Sequence, residues 1–73
     1  MSDTNPHPIY RIKVVGKLHP SWDEWLNYMD IRYDETGATI IEGAVPDQSA
    51  LRGLLNRIWD LNLTVISVIR LTA

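Results

Sequence analysis

The stretch Val45–Leu63, VPDQSALRGLLNRIWDLNL, constrains the fold more than any other part of the chain. Leu51, Leu54, Leu55, Ile58 and Leu61 recur at helical spacing and form one wide apolar stripe, with Arg52, Asn56, Arg57 and Asp60 on the other side. Such a helix needs an apolar surface to cover. Asp47 suits its N-cap, because the carboxylate can accept from free N–H groups two or three residues on and the helix dipole favours negative charge there. Asn62 suits its end, since asparagine tolerates the left-handed conformation that stops a helix.

Strands supply that surface. Ile9–Leu18 alternates, with Tyr10, Ile12, Val14 and Leu18 on one side and Ile9, Arg11, Lys13, Val15 and Lys17 on the other. Asp30–Asp34 reads as a second, more charged strand, followed by a turn in which Gly37 can supply positive φ. Thr39–Val45 is a third strand, and Leu63–Leu71 closes the chain as a β-branched fourth. Between the first two strands the spacing predicts a short helix. Ser21 and Glu24 stand at capping-box spacing, and Trp22, Trp25, Leu26 and Met29 share one face. The order is then β-α-β-β-α-β. Two right-handed crossovers lead to an α+β, ferredoxin-like sandwich: a four-stranded antiparallel sheet with strands 1 and 3 central and two helices on one face.

A chain of 73 residues is one domain, taken as 9–73 behind a flexible polar lead, 1–8. A core of that size is near the lower limit of self-sufficiency, so oligomerisation is expected. The absence of cysteine excludes disulfides and thiolate chemistry as the remedy. A net charge of −2 without basic runs argues against a dedicated nucleic-acid binder. No signal peptide or membrane-spanning run is evident, so the expected location is the cytoplasm.

With helices on one face, the alternation exposes Ile9, Arg11, Lys13, Val15, Arg32, Asp34, Ile40, Glu42, Ile66, Val68 and Arg70 on the other. Branched apolar residues contiguous across neighbouring strands predict a contact surface, for a homodimer or a partner protein. Arg11, Lys13, Arg32 and Arg70 outnumber Asp34 and Glu42, which leaves the face mildly basic. It has no aromatic residue on which to stack a base, so nucleic acid is not the expected partner.

Enzymatic constellations are missing. His7 and His19 have no ligand partner in their own segments, and the glycines form no phosphate loop. No catalytic residue, metal or cofactor is expected. Trp25, Tyr28 and Trp59, at the junction of the two expected helices, form a candidate pocket for a small effector or a partner's side chain. They support the alternative of a small-molecule-sensing regulatory domain, with its effector there or at a dimer seam.

Tyr10-Arg11-Ile12 with Val14, Gly16 and Leu18, then Trp22 and Trp25, and after the hairpin Gly37, Thr39, Gly43, Val45, Asp47-Gln48, Ala50-Leu51, Gly53-Leu54-Leu55, Arg57, Leu61, Leu63 and Ser67-Val68 resemble the pattern of a group of short, uncharacterised bacterial proteins of nearly this length. Those proteins tend to carry Gly and Pro at the positions of Asn62 and Thr64. The resemblance implies a single domain and brings no activity with it.

Overall fold

In a computed structural model the described residues are 7–72; Met1–Pro6 of the expected lead, and Ala73, lie outside them. The chain is an α+β domain of β1 (Ile9–Val14), a 3-10 turn (Pro20–Asp23), β2 (Asp30–Tyr33), β3 (Thr39–Ala44), α1 (Gln48–Asp60) and β4 (Val65–Arg70). All strand pairings are antiparallel, in the order β2-β3-β1-β4. Strands 1 and 3 are therefore central. The carbonyl of Pro8 accepts from the Val45 N–H at 2.9 Å, which ties the residue before β1 to the residue after β3.

The stripe of α1 does what its spacing requires. Leu54 and Ile58 are fully buried on Tyr10, Ile12 and Val14 of β1, Ile41 of β3 and Leu26, Met29 and Val45 of the loops, with Leu51, Leu55 and Leu61 packed at the margin. Asp47 caps the helix by accepting from the Ala50 N–H at 2.8 Å, and Asn62 takes φ +62° beyond the end. Gly37 has φ +84° in the β2–β3 turn, as that turn needs.

The first expected helix does not form, so the sheet carries one helix and not two. Pro20–Asp23 makes a single 3-10 turn, and its N-cap is His19, whose Nδ1 accepts from the Ser21 N–H at 3.1 Å. The chain then stops itself. Asn27 sits at φ +59°, its N–H donates to the Glu24 carbonyl, and the Tyr28 N–H donates to the Asp23 carbonyl at 2.6 Å. That pair of bonds around a left-handed residue is a Schellman closure. Asparagine is the commonest residue after glycine to accept it, and Trp, Asp, Asn and Tyr are weak helix formers with little propensity to oppose it. Leu26 and Met29 still reach the core, but Trp22 and Trp25 remain substantially exposed.

The second correction concerns β4. Tyr10, Ile12 and Lys13 pair with Arg70, Val68 and Ser67, whereas Val14 pairs with Val65, so Ile66 is an extra residue in the ladder. A bulge of this kind shifts the alternation by one. Residues paired across an antiparallel ladder share a face. Val68 and Arg70 thus lie on the helix side with Ile12 and Tyr10, and Ser67 and Ile69 take their expected places on the open side with Lys13 and Arg11.

Candidate interaction surface

On the open face the central strands carry a band of ion pairs. Arg11 Nε donates to Glu42 Oε2 at 2.7 Å, Arg32 approaches the same carboxylate at 3.3 Å, and Lys13 Nζ lies 2.9 Å from Asp34 Oδ2. Asp30 pairs with Glu42 and so joins this face. With Asp30 counted and Arg70 removed, Arg11, Lys13 and Arg32 balance Asp30, Asp34 and Glu42. The mildly basic surface expected from the alternation is not there.

Both paired carboxylates are held below their usual range. The Thr36 hydroxyl, and then Lys13, keep Asp34 charged, and Arg11, and then Arg32, do the same for Glu42. Ile40 is an expected contact residue that is not available for contact. It is flanked across the strands by Lys13 and Arg32, whose side chains are long enough to cover an apolar neighbour, and is only 7% exposed. A shallow depression of about 500 Å³ remains between Arg11, Lys13, Arg32, Ile40, Ser67 and Ile69.

The exposed apolar residues gather instead along β4. Ile66 is 52%, Val68 39%, Ile69 47% and Leu71 40% exposed, and Ile9 is half-buried beside them, its carbonyl accepting from the Leu71 N–H at 2.7 Å. Val15, beyond the end of β1, is also exposed. β4 is an edge strand: among the described residues it pairs with β1 alone. Because the Leu71 N–H points to β1, alternation turns the N–H and C=O groups of Val68 and Arg70 away from the sheet. The opposite edge, β2, is only four residues long and presents Asp30 and Arg32. Charge and brevity guard that edge, and between Ser67 and Ile69 nothing comparable guards β4.

Trp25, Tyr28 and Trp59 do not converge. The Trp25 indole N–H donates to the Arg57 carbonyl of α1, while Trp59 is two residues further along that helix and points elsewhere. It lines a depression of about 240 Å³ with Gln48, Leu51, Arg52 and Leu55. Tyr28 is exposed at the Schellman closure. A separate apolar pocket of about 260 Å³ lies between Asn27, Met29, Val45, Pro46, Ala50 and Leu54. Sequence reasoning missed it because its walls come from three segments brought together only by the fold.

Among the described residues no helix is long and apolar enough to cross a membrane. A family model described as a domain of unknown function (DUF8691) matches residues 9–69. No curated protein and no solved structure matches the chain.

Proposed function

The chain belongs to the DUF8691 family of domains of unknown function, and from its own surface we propose that it is a non-enzymatic, cytoplasmic interaction module that accepts an extended strand along the free edge of β4. The observation that carries this is the coincidence, on one edge strand, of outward backbone groups at Val68 and Arg70 with exposed Ile66, Val68, Ile69 and Leu71. Main-chain hydrogen bonds would supply the affinity and the alternating apolar side chains the fit. The test is amide hydrogen exchange with and without an extended peptide rich in valine and isoleucine. Saturable binding with new protection at Val68 and Arg70 is expected. Binding that protects other amides, or no binding, would overturn the reading.

The apolar pocket beside Asn27 and Ala50 supports a second reading, a regulatory domain that senses a small molecule. Titration of amino acids and nucleotides against tryptophan emission separates the two, because a saturable response in the absence of any peptide is expected only of the sensor.

A further inference from the structure

Resting on that reading, we infer that the strand completing β4 is β4 of a second copy, joined about a two-fold axis at Ile69 into a continuous eight-stranded antiparallel sheet. The register follows from the ladder. Val68 and Arg70 turn their N–H and C=O groups outward, so an antiparallel partner must place outward-facing residues opposite them. Centring the axis on Ile69 sets Val68 against the second copy's Arg70 and Arg70 against its Val68, and every outward group of both residues is paired. Centring it on Val68 would set Arg70 against Ile66, where the bulge has already broken the alternation.

Side chains agree with that register. Ile69 meets its own copy on the open face, and Leu71 falls opposite Ser67. Arg70, the only charge in β4, lies against Val68 and not against its own copy, so no like charges oppose one another across the axis. A two-fold interface uses one patch twice, and this patch complements itself. The ion-pair band and the buried Ile40 leave the centre of the open face without exposed apolar surface to compete for it. Two strands of this length form an interface at the small end of the range, below about 1,200 Å². Monomer and dimer are therefore in exchange, and the dimer fills with concentration.

The test is sedimentation equilibrium of the full chain over a concentration series, beside Val68→Pro, Ile69→Lys and Ile69→Glu. Proline at Val68 removes an outward donor and leaves the ladder to β1 intact. Lysine or glutamate at Ile69 places like charges across the axis. Both positions of substitution are solvent-exposed, and circular dichroism checks that each variant folds. The expected result is a wild-type mass rising towards twice the monomer, folded monomers for each variant, and recovery of the dimer when Ile69→Lys and Ile69→Glu are mixed. That recovery requires residue 69 to face its own copy, and it does not depend on the proline variant folding. A wild type that stays monomeric at every concentration, while the extended peptide still protects Val68 and Arg70, overturns the second-copy inference and leaves the strand-accepting edge standing. A dimer that survives all three substitutions places the contact elsewhere and overturns the second-copy inference, while the peptide experiment alone decides the strand-accepting edge.

Discussion

Trp25 and Arg57 hold each other reciprocally: the indole N–H donates to the Arg57 carbonyl at 3.1 Å, and the Arg57 guanidinium donates to the Trp25 carbonyl at 3.1 Å while lying 4.8 Å from the ring centroid. The two residues fasten the Schellman-closed loop to α1 where a second helix would otherwise have packed. The backbone bonds of this loop are made within the loop itself, so its position on α1 depends on the burial of Leu26 and Met29 and on such side-chain ties.

Arg57→Ala is accordingly expected to cost about 1–2 kcal/mol, the sum of a hydrogen bond and a cation–π contact at a partly exposed site. Arg57→Lys should recover only part of it, because an ammonium lacks the planar fork that donates and stacks together. Urea unfolding followed by tryptophan emission measures both, and equal stability of all three proteins would show that the tie contributes nothing.

Thr39 is the one buried polar residue among the described residues. Its hydroxyl donates to the Gly16 carbonyl at 2.6 Å and accepts from the Leu18 N–H at 2.9 Å, closing the bend that leaves β1. Thr39→Val keeps the shape and strands a buried N–H, which should cost about 1–3 kcal/mol. Thr39→Ser keeps both bonds and should lie nearer the wild type in thermal denaturation.

Two glycines are expected to respond oppositely to alanine. At Gly43 an added Cβ would stand 2.5 Å from Met29 Sδ, so Met29 must move within the core and Gly43→Ala should destabilise. At Gly53, on the exposed side of α1, nothing lies within 4 Å, and Gly53→Ala should stabilise by about 1 kcal/mol through helix propensity. A pair of melting curves decides the matter, and a common sign for the two shifts would refute it.

Acid should destabilise the protein. Asp34 and Glu42 are lowered in the folded state, so the stability they contribute is complete above their ordinary unfolded values and is lost as pH falls through the folded ones. The melting temperature is expected to be level from neutral pH to about 5 and to fall below about 4. Asp34→Asn should flatten the acid limb, and an unchanged limb would place the titrating groups elsewhere.

The local signals were written plainly in the chain. Asp47 as cap, Asn62 as stop and Gly37 in its turn each act through their own backbone and their nearest neighbours. Asn27 carried the same signal as Asn62, but the helical spacing of Trp22, Trp25, Leu26 and Met29 masked it. The candidate site was half legible: Ile66, Val68 and Ile9 stand in or beside the exposed row along β4, but on the open face Ser67 and Ile69 replace Val68 and Arg70, which turn to the helix side, and Ile40 is buried.

By itself, then, the sequence determined the four strands, the helix α1, the stripe that helix buries and the central places of strands 1 and 3, but not the absence of the second helix that a ferredoxin-like sandwich requires. The elements and the stripe follow from periodicity and from residues that constrain their own dihedrals, and the strand placement from the handedness expected of crossover connections. The tertiary structure alone decided which side of the sheet each half of β4 shows, that Ile40 is covered, and that Trp59 parts company with Trp25. A bulge is a mismatch between two paired strands, shielding is a property of three strands side by side, and neither exists in a segment until its neighbours are in place.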